Sequence, residues 1–108
     1  MSITRETLLA ALRPVIVAET VAPFGDIRIR QLPVTEVEDL REASNKDNKQ
    51  FCHRLLIASV AGDDDRPLLT PADLPAVEAG SFGSVDALIG AVLRANGMGQ
   101  TAEATAKN

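Results

Sequence analysis

Residues 25–32, with the sequence GDIRIRQL, alternate isoleucine with arginine, and this alternation constrains the fold more than any other feature of the chain. Because successive side chains of a strand point to opposite faces, the isoleucines lie on one face and Arg28 and Arg30 on the other. Residues 15–21, which are mostly β-branched, precede them and are separated from them by the turn sequence APFGD, so the two segments are predicted to form a β-hairpin. Two strands alone are unstable in water, and helices must therefore cover the isoleucine face.

Helical patterns occupy most of the remaining chain. Apolar residues recur at helical spacing in residues 3–12, 35–43, 51–60 and 84–96. The sequence TPADL predicts a further short helix, with Thr70 as its N-cap and Pro71 at its first helical position. With 45% hydrophobic but only 3% aromatic residues, the core is expected to consist of Leu, Ile, Val and Ala. The predicted fold class is therefore α+β: a β-hairpin packed against four to five short helices, with mostly helical content.

The ends of these helices are predicted from capping signals and glycines. Thr4 is the expected N-cap of the first helix, and Thr35 with Glu38 matches a capping box that would begin the second. Residues 51–60 have the broadest apolar stripe and are predicted to form the most buried helix, which Gly62 ends.

The length of the chain, 108 residues, is that of one domain. Residues 1–99 are expected to form this domain, and residues 100–108, which carry no apolar anchor, are expected to be a flexible tail. Charges interrupt the apolar residues near the start, unlike a secretory signal, and no apolar run approaches the ~20 residues needed to cross a membrane. Together with the single cysteine, these features predict a soluble cytoplasmic protein.

Composition and motifs disfavour nucleic-acid binding, metal binding and catalysis. The formal net charge is -4 and the arginines are scattered, whereas nucleic-acid-binding surfaces cluster positive charge. Cys52 and His53 are the only residues of their types, and neighbours on a helix point about 100° apart, which is unsuited to a nucleophile–base pair. Residues 63–65, three aspartates in a row, lack the alternate spacing of a calcium loop and are expected to form a solvated turn. No cofactor is predicted.

Two groups of residues are candidates for binding a partner. Arg28 and Arg30 either form salt bridges with Glu19 or with the acidic helix that follows, or recognise a carboxylate of another protein. The last predicted helix carries an apolar stripe that either joins the core or contacts a partner helix, and the core role is favoured for Leu88 and Val92. The stripe consists of Val85, Leu88, Ile89, Val92 and Leu93.

The order of segments along nearly the whole chain resembles the tail assembly chaperone family of long-tailed bacteriophages, prophages and phage-like particles. The similar segments are a leader helix in ITRETLLAA, a strand and acidic helix in ETVAPFGDIRIRQLPVTEVEDLREA, an aspartate-rich turn entering a capped helix in RLLIASVAGDDDRPLLTPADL, and the ending LIGAVLRANGMG. Each motif by itself occurs in many folds. The specificity of the resemblance therefore lies in the order and spacing of the motifs.

This resemblance implies a protein without catalytic activity, which acts in the cytoplasm of the infected host and is absent from the finished tail. Its implied partner is the long, helical tape-measure protein, which it holds soluble until tail-tube subunits polymerise around it. Self-association is also implied, as is recruitment of the tail-tube protein through a longer, frameshifted form. Two alternatives stay open: a structural tail completion or head–tail connector subunit retained in the particle, and a small enzyme.

Overall fold

A computed structural model describes residues 2–98 of the chain, which form an α+β fold with mostly helical content. Within these residues there are five α-helices and one three-stranded antiparallel sheet, so the predicted fold class is confirmed. The predicted flexible tail, residues 100–108, lies outside the described residues. The elements are α1 (Arg5–Ala11), β1 (Ile16–Val21), β2 (Gly25–Arg30), α2 (Val34–Ala43), α3 (Asn48–Ser59), β3 (Val60–Ala61), a 3-10 turn (Pro71–Asp73), α4 (Leu74–Glu78) and α5 (Phe82–Ala95).

The predicted hairpin is confirmed, with β1 and β2 paired antiparallel. Val17 of β1 lies opposite Ile29 of β2, and the Phe24 amide donates to the Val21 carbonyl at 2.7 Å to close the turn. Gly25 has φ +84°, a left-handed conformation that glycine adopts without a steric penalty. Ile29 is completely buried, so the isoleucine face of β2 forms part of the core, as its alternation predicts.

A third strand, β3, was not predicted. The expected helix over residues 51–60 ends at Ser59, and Val60 is extended with φ -69° and ψ 124°. Val60 then pairs with Ile29 and Ala61 with Arg28, which makes β2 the central strand of the sheet. The free edge of β2 offers hydrogen-bonding groups that a helical Val60 would leave unpaired, and this tertiary pairing overrides the apolar helical pattern.

The predicted capping box at Thr35 is wrong. Helix α2 begins one residue earlier, at Val34, with Pro33 as an N-cap that makes no side-chain hydrogen bond. The Val37 amide donates to the Pro33 carbonyl at 3.1 Å, which places Thr35 inside the first turn, where its hydroxyl cannot cap the helix. Caps at Thr4 and Ser81 are formed: each hydroxyl accepts from the amide three residues later, at 3.1 and 3.3 Å.

Helix α3 is the centre of the core, as predicted for the most buried helix. It packs against β2 and against helices α2, α4 and α5. Leu55 and Leu56 of α3, Ile29 of β2 and Val92 of α5 are each less than 2% exposed. The sheet and the last helix therefore cover α3 from two directions, and the surfaces described below lie around this core.

Candidate partner-binding surfaces

Arg28 is engaged within its own fold. Its guanidinium forms an ion pair with the Asp65 carboxylate, in the aspartate-rich turn that follows β3. The predicted alternative partner, Glu19, instead accepts from Arg94 of α5 at 2.9 Å. The Arg28 and Asp65 side chains are 40% and 50% exposed, and ion pairs this exposed to water contribute little stability. The interaction orients the turn against the central strand.

Arg30 forms the predicted contact with the acidic helix. Its Nη2 atom lies 3.3 Å from Oε2 of Glu36 in α2, and its Nε atom donates to the Ala58 carbonyl at 3.2 Å. The side chain is only 25% exposed, much less than that of Arg28. Arg30 therefore connects β2 to both α2 and α3 while its guanidinium stays at the edge of a cavity.

We call this cavity the arginine pocket. It has a volume of about 260 Å³ and lies between α2, α3 and the segment that leads into α4. Arg54 of α3 lines it beside Arg30, and the Arg54 Nε atom donates to Gln50 Oε1 at 3.0 Å. Arg54 was not among the candidate residues predicted from sequence. The sequence does contain a signal for it, because Arg54 is a charged residue among the apolar residues of α3. The lining residues are Arg30, Glu36, Leu40, Arg54, Ile57, Ala58, Pro67, Leu69, Pro71 and Leu74.

The predicted stripe on the last helix is largely a core face. Val92 is completely buried, so the favoured core role is confirmed for Val92, and the alternative that Val92 contacts a partner is wrong. The other four residues pack against the core and are partly buried: Val85, Leu88, Ile89 and Leu93. Val85 and Ile89 also line a groove of about 400 Å³ between α3, α4 and α5, beside the 84% exposed Phe82.

Cys52 and His53 line the same groove but form no activated pair. Within residues 2–98, no hydrogen bond joins them, and the His53 Nδ1 atom is buried without a hydrogen-bond partner, 3.9 Å from Glu78 Oε2. Burial raises the pKa of the Cys52 thiol, and the Arg41 guanidinium offsets this only in part. A thiol whose pKa is raised remains protonated at neutral pH and is a poor nucleophile.

Helix α1 presents an apolar surface that was not predicted as a candidate site. None of its residues is buried, although a leucine-rich face would normally pack against a core. We call the apolar surface of α1 and its flanking residues the α1 face; its members, with their exposed fractions, are Ile3 (61%) before the helix, Leu8 (45%) and Leu9 (46%) within it, and Leu12 (67%) at its C-cap. Exposed apolar side chains grouped in this way are typical of protein interaction sites.

No family model matches this chain, and no curated protein or solved structure is significantly similar to it. Among residues 2–98, none of the helices combines the length and the apolar character needed to span a membrane. The same part of the chain contains no group of three or more His, Cys, Asp or Glu side chains placed to hold a metal ion. A function can therefore be inferred only from the surfaces described above and from the order of the sequence motifs.

Proposed function

We propose that this protein is a tail assembly chaperone of a bacteriophage or phage-like particle, without catalytic activity, which binds the tape-measure protein in the host cytoplasm. The order of motifs along the chain supports the family, and the α1 face is the structural observation that carries the proposal. A chaperone that keeps a long helical client soluble needs apolar surface that its own fold does not use. Helix α1 provides such surface, because none of its residues is buried or belongs to the core.

The size of the α1 face favours many weak contacts over one strong contact. Helix α1 has seven residues, and each half-exposed leucine would contribute about 1 kcal/mol when its remaining surface is buried. Such a contact is weak by itself, because association also costs translational and rotational freedom. Self-association would place several copies of the face along one client and multiply the contacts. In this proposal, a longer form of the chain recruits the tail-tube protein.

Co-expression with the tape-measure protein of the same phage or prophage tests the proposal. We expect the client to remain soluble and to co-purify with this protein, whereas the client expressed alone should aggregate. If the client stays insoluble while this protein is folded and abundant, the chaperone function is wrong.

Mass spectrometry of purified particles is a second test. A chaperone should be absent from the finished particle, since it leaves as tail-tube subunits polymerise. Stoichiometric presence in the particle would instead identify a retained tail completion or head–tail connector subunit.

A further inference from the structure

The two guanidinium groups of the arginine pocket differ in their hydrogen-bond acceptors and ion-pair partners. Arg30 has both the Ala58 carbonyl and the Glu36 carboxylate as acceptors. Arg54 makes its hydrogen bond to the neutral side chain of Gln50, and no carboxylate of residues 2–98 lies within 4 Å of its nitrogens. Among these residues, its guanidinium therefore has no ion-pair partner, although Glu36 lines the same pocket.

The rest of the lining is suited to an apolar group. Leu40, Ile57, Leu69 and Leu74 form most of the wall, together with two prolines. A dry cavity of roughly 150 Å³ accommodates a benzene molecule, so a cavity of about 260 Å³ has room for a side chain as large as leucine or phenylalanine. Filling it would remove apolar surface from water, which is the main favourable term in association.

The charge around the pocket limits the kind of segment that can bind. The chain has a net charge of -4, and the outer face of α2 carries the exposed residues Glu38, Asp39 and Glu42. A densely acidic segment would be repelled by this face, while a segment with one carboxylate beside an apolar side chain would meet Arg54 without that repulsion. An arginine is also well shaped to bind a carboxylate through two parallel hydrogen bonds.

We propose that the arginine pocket is a docking site for a segment of a partner protein. The segment inserts one leucine-sized side chain between α2, α3 and the 3-10 turn, and places a single carboxylate on the Arg54 guanidinium. This site is separate from the α1 face and does not depend on the proposed chaperone function, because it is defined by the chemistry of its lining alone.

Fluorescence anisotropy with the full-length protein tests this site. The probe is a fluorescein-labelled helical peptide of alanine and glutamine that contains one leucine and one glutamate a single turn apart. Two matched peptides replace the glutamate by glutamine or the leucine by alanine. We expect saturable binding of the first peptide and about tenfold weaker binding of each matched peptide, as for the loss of one charge-assisted hydrogen bond or one buried side chain.

Substitutions in the protein identify the residue that carries the charge. Arg54→Gln should weaken binding of the glutamate peptide about tenfold and leave binding of the glutamine peptide unchanged. The control is Arg13→Gln, which removes an exposed charge outside the pocket and should change the binding of neither peptide. Arg54→Glu should prefer a peptide in which lysine replaces the glutamate. The comparison of peptides on the unmodified protein tests the proposal even if a variant fails to fold.

Three results would overturn the proposal. The first is equal binding of the glutamate and glutamine peptides to the unmodified protein. The second is binding of octanoate, seen as shifts of the Leu40 and Leu69 methyl signals, with no binding of any peptide, which would identify a small-molecule site. The third is a change of oligomeric state in Arg54→Gln by sedimentation, which would show that a second copy of the chain occupies the pocket.

Discussion

The side-chain oxygen of Asn96 accepts a hydrogen bond from the Leu32 amide at 2.8 Å and joins the end of α5 to the end of β2. The side-chain nitrogen of Asn96 donates to the Val92 carbonyl at 3.0 Å, which holds the amide group in place. Beside it, Gln31 Nε2 donates to the Ala95 carbonyl at 3.0 Å. Together these hydrogen bonds link segments that are distant in sequence and close the domain across the end of the sheet.

Asn96→Ala should therefore destabilise the fold by about 2 kcal/mol, because it leaves the amide of the buried residue Leu32 without an acceptor. Urea unfolding followed by circular dichroism measures this change. Asn48→Ala is the matched control, because Asn48 is exposed, and it should change the free energy of unfolding by less than about 0.5 kcal/mol. An equal loss in the two variants would contradict the role assigned to the Asn96 oxygen.

Leu55→Ala should cost about 2–5 kcal/mol, since Leu55 is completely buried at the centre of α3 and its truncation leaves a cavity. Leu68→Ala is the matched control, because Leu68 is 64% exposed, and it should change the free energy of unfolding by less than about 0.5 kcal/mol. Chemical denaturation of both variants under the same conditions makes the comparison.

Two glycines at the ends of the last helix should respond to alanine in opposite directions. Gly97 has φ +73°, as its predicted place at the end of the helix requires, and Gly97→Ala should destabilise the fold by about 1 kcal/mol. Gly83 lies in the first turn of α5, and a Cβ there would meet no atom within 4 Å apart from its chain neighbours and the backbone of its own helix, so Gly83→Ala should stabilise the fold by about 0.5 kcal/mol. Thermal unfolding of the two variants distinguishes them by sign.

Replacing Leu9 and Leu12 together by serine should abolish co-purification of the tape-measure protein without lowering the free energy of unfolding. Both side chains belong to the exposed α1 face, and neither is part of the core or of the residues packed against it. Phe82→Ser is the control, because Phe82 is even more exposed but lies on α5, and this variant should still bind the client. If the double variant and Phe82→Ser both lose binding, the loss is a general response to reduced surface hydrophobicity, which would contradict a specific role of the α1 face.

Burial of Cys52 should make the stability of the fold fall at alkaline pH. Because burial raises the pKa of the thiol in the folded chain, the folded state keeps its proton at pH values where the unfolded chain has lost it. The contribution of the buried, protonated thiol to the free energy of unfolding is fully present below the ordinary thiol pKa of about 8.5. It is lost as the pH rises through the pKa of the folded state. The difference in unfolding free energy between the unmodified protein and Cys52→Ala should decrease over that range. A difference independent of pH would contradict this effect.

The elements that depend on local pattern were predicted from sequence. The hairpin follows from strict alternation on both sides of a turn sequence, and α3 from apolar residues at helical spacing. The contact of Arg30 with the acidic helix was one of the alternatives that the sequence left open, and its two partners, Arg30 and Glu36, are only six positions apart. The pairing of Arg28 with Asp65 was not predicted, since these residues are 37 positions apart and come together only because β3 pairs with β2.

Sequence alone was sufficient for the fold class, the hairpin, the central position of α3 and the left-handed end of the last helix, because each depends on side-chain periodicity or on one residue's backbone preference. The packing of residues 2–98 was needed to establish that Val60 leaves the helix to pair with β2, that Arg28 meets Asp65, and that the α1 face remains exposed. An amphipathic pattern specifies that a face is apolar, but whether another element covers that face depends on contacts between residues far apart in the chain.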